Sequence, residues 1–227
     1  MTNFAKNFLS RLGVLTLFQF VLKCVRVPWI RARWRWANGH NYTHVVNGLS
    51  DIYFPSQKVT VGKHTYGGLQ VFSYGTPGES LKIGCYCSIA GDVRFVVGGN
   101  HRTDTFSTYP FRHRFGDMSV EAHTKGPIIV EDDVWIGLGA MIISGVTLAK
   151  GTIVAAGSVV TKSSPPYSII GGNPARVIRA RFAPSLVEKL LAIDLATIDE
   201  IRIRKVLAKL YQPLDEKVLE DITRDFI

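Results

Sequence analysis

A six-residue period in the middle of this chain restricts its fold more than any other feature. Every sixth position from Val130 to Val160 is aliphatic, and the positions two residues earlier are apolar or small. The first series is Val130, Ile136, Ile142, Leu148, Val154 and Val160, and the second is Ile128, Val134, Ala140, Val146, Thr152 and Ser158. An α-helix repeats about every 3.6 residues and a strand about every two, so neither alone produces this pattern.

Six residues are enough for one short strand and one tight turn. If each turn bends the chain by about a third of a circle, three units close one coil of a triangular prism, with the aliphatic residue inside. Stacked coils can pair their backbones, and hexapeptide repeats of this kind are typical of a parallel β-helix. The sequence therefore predicts an all-β core built as a parallel β-helix.

A long interruption separates two runs of the period. Ile83, Ile89 and Phe95 are also six residues apart, but their phase differs from that of the run that begins at Val130. Residues 97–127 are therefore predicted to leave the prism as a long inserted loop. Long loops within compact domains are usually functional. This loop contains GGNHRTDTFSTYPF, in which one histidine lies among aromatic and hydroxyl side chains.

The first 50 residues hold most of the positive charge. The formal net charge is +9, and residues 1–50 contain seven Lys and Arg but no Asp or Glu. The remainder carries only +2, which argues against nucleic-acid binding by the whole protein. Apolar residues from Phe4 to Val25 recur at helical spacing and predict a basic amphipathic helix. Two interpretations stay open: residues 1–36 contact the cytoplasmic membrane face peripherally, or the helix packs on its own domain or between subunits.

The cysteines and histidines indicate neither a disulfide framework nor a metal site. The chain has three cysteines without a CxxC pair, and its histidines and cysteines lack metal-ligand spacing. We therefore expect no metal and a cytoplasmic location, because free cysteines fit a reducing compartment.

Three regions are expected along the chain. Residues 1–50 form the basic extension, residues 51–182 the β-helix catalytic domain, and residues 183–227 a helical cap on the end of the coils. The last region is assigned because the period stops there and leucines and isoleucines recur at helical spacing. Pro184 and Pro213 are expected near helix boundaries.

Four stretches resemble the hexapeptide-repeat acyltransferases, specifically the xenobiotic acetyltransferases of chloramphenicol and streptogramin type. They are LKIGCYCSIA, GGNHRTDTFSTYPF, VWIGLGAMIISGVTLAKGTIVAAGSVVTK and IIGGNPARVIRARF. The resemblance covers about residues 59–182. It implies a left-handed parallel β-helix, a homotrimer with active sites between subunits, and acyl transfer from acetyl-CoA to a hydroxyl or, in other branches, an amine.

The resemblance makes His101 in the loop the general base. A hydroxyl must lose its proton as it attacks a thioester, and imidazole is suited to that transfer. Asp104 or a backbone carbonyl is expected to orient the ring. Asn100 either contacts the acceptor or holds the loop, and Tyr109 shapes the acceptor pocket or fixes the loop against the next subunit. Tyr66 is a weaker candidate on the acceptor side.

The donor site is predicted from charge and from the resemblance. No acidic residue lies between Asp133 and Glu188, whereas several Lys and Arg do, and such a segment suits the phosphates of coenzyme A. By resemblance, the pantetheine arm passes Leu138 and Ala156. The positions that match the nucleotide end are Thr161, Lys162, Arg176 and Arg179. Trp135 either flanks the pantetheine channel or packs between subunits.

Three functions remain in competition. The first is O-acetylation of a sugar or glycan intermediate, favoured because a basic N-terminal helix suits an enzyme whose substrates assemble at a membrane. The second is O-acetylation of an antibiotic such as chloramphenicol or a streptogramin. The third is a non-catalytic β-helix scaffold, against which the histidine loop and the acid-free segment both argue.

Overall fold

Stacked coils of short strands make up most of the described chain. The structure is a computed structural model that describes residues 27–46 and 55–226. The strands within these ranges are β1 Tyr42–Val45, β2 Val59–Val61, β3 Tyr66–Phe72, β4 Leu81–Ile83, β5 Ser88–Ile89, β6 Arg94–Val96, β7 Ile128–Val130, β8 Trp135–Ile136, β9 Met141–Ile143, β10 Thr147–Leu148, β11 Ile153–Val154, β12 Val159–Val160, β13 Ser168–Gly172 and β14 Ala175–Ala180.

Three faces run along the prism. Face 1 consists of β2, β4, β7 and β10. Face 2 consists of β1, the first part of β3, then β5, β8, β11, β13 and β14, and face 3 of the second part of β3, then β6, β9 and β12. Among the described strands, only the pair β13–β14 is antiparallel. The fold is the left-handed parallel β-helix that the resemblance implied.

The core is formed by the two periodic series. All twelve side chains from Ile128 to Val160 that the period places inside are at most 1% exposed. Fully burying a Val, Leu or Ile side chain contributes about 1.5–3 kcal/mol, so the repeats supply a large part of the driving force. The two hydroxyl members are satisfied: Thr152 bonds Ser164 Oγ at 2.8 Å, and Ser158 donates to the Ala155 carbonyl at 2.7 Å.

Register shows where the period is interrupted. Val130 pairs with Leu148, 18 positions later, which is one coil of three six-residue units. Ile83 pairs with Val130, 47 positions later, so the intervening chain makes a long excursion. This confirms the predicted loop at 97–127, which we call the histidine loop. It contains one short helix, α2 (Phe111–Phe115), among its described residues.

Coil corners bring backbones close together. A Cβ added to Gly137 would lie 2.7 Å from the Ala156 backbone nitrogen in the next coil. A side chain at this corner would therefore force the two coils apart, which explains why glycine follows Ile136.

The described N-terminal segment packs on the first coil. Residues 27–37 are helical (α1), and Trp34 is buried, with its Nε1 donating to Thr43 Oγ1 at 3.1 Å. β1 pairs with β3, so the β-helix takes in residues that the sequence assigned to the extension. The amphipathic pattern from Phe4 to Val25 lies outside the described residues. None of the described helices has the length and apolar composition needed to cross a bilayer.

The C-terminal region is helical, as the spacing of its aliphatic residues predicted. It contains α3 (Pro184–Leu191), a 3-10 helix (Leu195–Thr197), α4 (Glu200–Leu210) and α5 (Glu216–Phe226). The Ile198 carbonyl accepts from Lys63 Nζ at 2.6 Å and from the Tyr86 hydroxyl at 3.1 Å, and the Leu190 carbonyl accepts from Lys150 Nζ at 3.0 Å. These contacts lie along one corner of the prism, whereas a cap was expected over its end.

Candidate active site

The histidine loop is closed at its base by one backbone pair. Asn100 N donates to the His123 carbonyl at 3.0 Å, and His123 N donates back to the Asn100 carbonyl at 2.9 Å. The Asn100 amide also donates to the His123 carbonyl and to Ser144 Oγ, both at 3.1 Å. These bonds tie the loop to the coil that contains β9. Of the two roles predicted for Asn100, the observed contacts are those of a residue that holds the loop.

His101 follows this pair and is exposed. Its Nδ1 lies 2.6 Å from the Thr108 carbonyl oxygen. A carbonyl oxygen can only accept, so Nδ1 carries the proton and Nε2 of the neutral ring is left as the basic nitrogen. The loop backbone thus selects both the orientation and the tautomer that a general base requires. The sequence had left the orienting group open between Asp104 and a backbone carbonyl.

Asp104 forms an ion pair that does not include His101. Arg102 donates to the two carboxylate oxygens of Asp104 at 2.9 Å and 2.7 Å, and both side chains are exposed. The hydrogen bonds from Arg102 lower the pKa of Asp104 to about 2. Asp104 therefore serves as the partner of Arg102, and the Thr108 carbonyl orients the imidazole.

Two adjoining cavities, each of about 400 Å³, meet at His101. The lining of the first includes the charged side chains of Arg102, Arg112 and Glu121. Its hydroxyl groups come from Thr105, Ser107, Thr108 and Ser119. The second is lined by His101, Arg102, Thr103, Asp104, Glu121 and His123. A molecule in either cavity would lie next to the predicted base.

Tyr109 lines the first cavity and belongs to an aromatic cluster of the loop. Its ring centroid lies 4.9 Å from that of Phe111 and 6.4 Å from that of Phe115. Tyr109 therefore borders the cavity and packs within the loop, and its contact with the next subunit stays a prediction. Tyr66 lies elsewhere, at the start of β3 on face 2, and it lines neither cavity.

The predicted pantetheine positions lie next to each other along one corner of the prism. Leu138 and Ala156 are exposed at the turns between faces 2 and 3, and Gly157 N donates to the Leu138 carbonyl at 2.7 Å. The corner continues into the turn between β13 and β14, where Gly171 pairs with Arg176. Trp135 projects from the adjacent face and is 53% exposed.

The predicted nucleotide positions lie at the last coils. Thr161 and Lys162 follow β12, and Arg176 and Arg179 lie on β14, all of them exposed. Among the described residues, the partners of these arginines are main-chain carbonyls of adjacent residues: Arg176 donates to Ala175 at 2.9 Å and Arg179 to Ala180 at 3.1 Å. Within the described chain neither has a carboxylate partner, so both charges are available to an anionic ligand. No group of His, Cys, Asp and Glu that could hold a metal ion occurs in the described residues.

Sequence reasoning missed Thr108 and Glu79. Thr108 acts through its carbonyl oxygen, which every residue type has, so no motif marks it. Glu79 lies in a Gly- and Pro-rich turn and is 3% exposed, although glutamate in such a turn is normally a surface residue.

Comparison with known proteins agrees with this geometry. A family model described as the hexapeptide repeat of succinyl-transferase matches residues 127–162. A "Probable macrolide acetyltransferase" of Lysinibacillus sphaericus is 40% identical over 124 residues, 52% of this chain and 69% of that protein. A chloramphenicol acetyltransferase of Klebsiella aerogenes is 36% identical over 123 residues, 51% of this chain and 59% of that protein.

A solved structure shows the same architecture. It is a hexapeptide-repeat-containing acetyltransferase from Vibrio cholerae complexed with acetyl coenzyme A, with a TM-score of 0.50 and 27% identity, covering 73% of this chain and 86% of that chain. A left-handed β-helix with an inserted histidine loop defines the class. The chain belongs to the hexapeptide-repeat acetyltransferases, and its relatives place it with the xenobiotic branch.

Proposed function

We propose that the protein transfers an acetyl group from acetyl-CoA to a hydroxyl of a sugar or glycan intermediate, with His101 as general base. The observation that carries this proposal is the 2.6 Å bond between His101 Nδ1 and the Thr108 carbonyl, which leaves Nε2 basic beside a cavity lined by hydroxyl and charged side chains. The family assignment favours this enzyme over the non-catalytic scaffold. The acetyl-CoA complex of the Vibrio cholerae protein supports the choice of donor.

His101 Nε2 takes the acceptor's proton as the hydroxyl oxygen bonds to the carbonyl carbon of the thioester. A backbone N–H of a coil turn stabilises the negative charge that develops on the carbonyl oxygen. As the carbon–sulfur bond breaks, protonated His101 returns the proton to the departing thiolate. The acceptor ends as an acetyl ester, and coenzyme A leaves as the free thiol.

Acetyl-CoA would be held along the corner described above. Leu138 and Ala156 offer an exposed apolar edge for the pantetheine arm, and Arg176, Arg179 and Lys162 offer cations for the phosphates. Thr161 adds a hydroxyl at the same end.

The protein is a homotrimer in this proposal, with each site completed by a neighbouring subunit. Exposed apolar side chains support this, because large apolar patches on a monomer mark interaction surfaces. Phe106 and Phe115 on the histidine loop are fully and 78% exposed, and Tyr66, Trp135 and Leu138 are 53–59% exposed.

Two observations favour different acceptors. The hydroxyl-rich and charged lining of the first cavity suits a polyhydroxylated acceptor such as a sugar. The antibiotic acetyltransferases among the relatives favour an antibiotic acceptor instead. We therefore retain antibiotic O-acetylation as the second candidate.

The deciding experiment measures thiol release from acetyl-CoA by the purified protein. The acceptors are nucleotide sugars, lipid-linked glycans, chloramphenicol, a macrolide and a streptogramin. Release with a saccharide that disappears in His101→Ala would support the first candidate, and release with a drug alone would support the second. Absence of both thiol release and coenzyme A binding would contradict both.

The cellular location is tested separately. We propose a cytoplasmic protein that contacts the cytoplasmic membrane face through residues 1–36, and Trp29 and Trp36 are exposed in the described part of this segment. Deleting residues 1–36 is expected to move the protein from the membrane fraction to the soluble fraction. An unchanged fractionation profile would contradict the membrane contact without affecting the chemistry.

A further inference from the structure

The histidine loop rests on a second, shorter loop formed by residues 73–80. This segment joins β3 to β4 and lengthens the first coil: Val61 pairs with Ile83, 22 positions later, whereas later coils take 18. The extra residues form a turn that we call the Glu79 loop. It lies against the base of the histidine loop, on the side from which the chain leaves the prism.

Glu79 organises this turn from inside. Its side chain is fully buried and accepts four hydrogen bonds. The donors are Ser73 Oγ at 2.6 Å, Tyr74 N at 3.0 Å, Gly75 N at 3.2 Å and Lys58 Nζ at 3.0 Å. Burial alone would raise the pKa of the Glu79 carboxyl, but hydrogen bonds from Ser73, Lys58 and the Tyr74 backbone lower it below its ordinary value. Glu79 is therefore a buried anion at neutral pH.

The Glu79 loop contacts both arms of the histidine loop. On the outgoing arm, a Cβ added to Gly98 would lie 2.0 Å from Glu79 Oε1, so the glycine backbone packs directly on the carboxylate. The Tyr74 ring covers the next glycine, where an added Cβ would lie 2.6 Å from it. On the returning arm, Thr76 Oγ1 donates to the Ala122 carbonyl at 3.2 Å.

These contacts come immediately before the residues that carry the chemistry. Gly98 lies two positions before Asn100, and Ala122 lies one position before His123, so both contacts flank the pair that closes the loop. His101 is the next residue on the outgoing arm. A shift of the Glu79 loop would therefore move the base of the arm from which His101 projects.

We propose that Glu79 is a positioning residue for the reaction, whose carboxylate sets the location of His101 through the 73–80 turn and the two loop arms. This inference rests on the proposed role of His101 as base. A buried carboxylate is costly to desolvate, and a neutral turn would close the coil without that cost. The contact with Gly98 gives the charge a use beyond the turn, because it fixes where the histidine loop begins.

The first test is Glu79→Gln, which keeps the size of the side chain but turns an NH2 group toward the surrounding donors. We expect kcat to fall by about 10- to 100-fold, because small misplacements of a catalytic group have effects of this order. KM for acetyl-CoA should stay within about twofold, because the donor residues lie on other coils. In a His101→Ala background, Glu79→Gln should cause no further loss, since its effect acts through His101.

A matched control is Asp132→Asn. Asp132 Oδ1 also accepts a backbone N–H at a coil corner, from Cys85 at 2.6 Å, but it contacts neither arm of the histidine loop. The Asp132→Asn variant should have a lower melting temperature than the wild type and an unchanged kcat. Equal kcat losses in Glu79→Gln and Asp132→Asn would overturn the proposal, as would an undiminished Glu79 effect in the His101→Ala background.

Hydrogen exchange tests the same contact without using activity. Peptides covering residues 98–108 and 119–126 should exchange faster in Glu79→Gln than in the wild type, whereas those from β10 to β12 should not change. Should Glu79→Gln fail to fold, Gly98→Ala approaches the contact from the other side, because its methyl group would displace the carboxylate. Unchanged exchange in these loop peptides would overturn the inference, whereas a wild type without acetyl transfer would overturn only the proposed function.

Discussion

The coil stack and the histidine loop differ in how far their side chains are buried and how much their backbones are paired. Every inward side chain of the periodic series from Ile128 to Val160 is at most 1% exposed, and its strands pair with coils on both sides where such coils exist. The histidine loop has one backbone pair at its base, and His101 and Asp104 lie exposed beyond it. Stability and chemistry are thus assigned to different residues, and a few contacts at the loop base join the two parts.

The largest effect that this separation predicts is on activity alone. His101→Ala is expected to lower kcat by about 10²- to 10⁴-fold, the range typical of losing a general base. The melting temperature should stay within about 2 °C of the wild type, because an exposed side chain contributes little to stability. Steady-state kinetics with the responding acceptor and thermal unfolding check the two halves of the prediction.

A histidine of the same loop provides the control. His113 Nδ1 lies 3.1 Å from the Met118 and Ser119 carbonyl oxygens, and His113 lines neither cavity at His101. His113→Ala should keep most of the activity. An equal loss in the two variants would mean that the loop responds as a whole and that His101 has no special role.

The reverse effect is expected in the stack. Ile136 is fully buried on β8, and Ile136→Ala should lower the free energy of unfolding by about 2–5 kcal/mol. Activity per folded molecule should change by less than about twofold, because the loop is tied to this coil through Asn100 and Ser144 at the end of face 3, whereas Ile136 lies on face 2. Urea unfolding and kinetics at low temperature measure both quantities. Lys82→Ala, which removes an outward side chain of β4, should change neither, and a large kcat loss in Ile136→Ala would show that the two regions are coupled.

The same division decides what the sequence could predict. In the stack, each coil repeats one physical requirement, an aliphatic residue inside and a small one near the corner, so the period predicted which residues are buried. The phase change between Phe95 and Val130 also located the histidine loop. The lateral position of the C-terminal helices was not predictable, because it depends on Lys63, Tyr86 and Lys150, whose partners are main-chain carbonyls.

In the site, His101 was predicted from the resemblance, but only some of the residues around it were predicted. Asp104 was a reasonable partner for the ring, since carboxylates often orient histidines, yet Arg102 lies two positions away and takes both of its oxygens. Glu79 was missed because its burial depends on a turn and on Lys58, 21 positions away in the sequence. Contacts of this kind follow no period.

A smaller effect is expected at the donor end of the stack. Replacing Arg176 and Arg179 together with alanine should raise KM for acetyl-CoA by about tenfold. A hydrogen bond to a charged group contributes about 1.5–3 kcal/mol, and the exposure of both arginines to solvent reduces that contribution. The kcat should change by less than about twofold, and the KM effect should shrink at high salt. Arg204→Ala on α4 is the matched control for an exposed arginine, and an equal KM change there would contradict a specific donor site.

The smallest effect is expected at Asp104, which the sequence offered as the group that orients His101 but which the structure pairs with Arg102. Asp104→Asn should change kcat/KM by less than about twofold, because the Asp104 carboxylate bonds Arg102 and the Thr108 carbonyl holds the His101 ring. Exposed ion pairs of this kind also contribute little to stability, so the melting temperature should hardly change.

The pH dependence sharpens this last expectation. The pKa of Asp104 is lowered to about 2, so the carboxylate is ionised at neutral pH and any stability from its pair with Arg102 is lost only as the pH falls through that value. Asp104 therefore contributes no step to the rate profile between about pH 5 and pH 9, and Asp104→Asn should leave the shape of that profile unchanged. A kcat/KM loss above about tenfold, or a shifted profile, would mean that Asp104 turns from Arg102 to His101 during the reaction. The exposed loop would then rearrange between its resting and reacting states while the coils stay fixed.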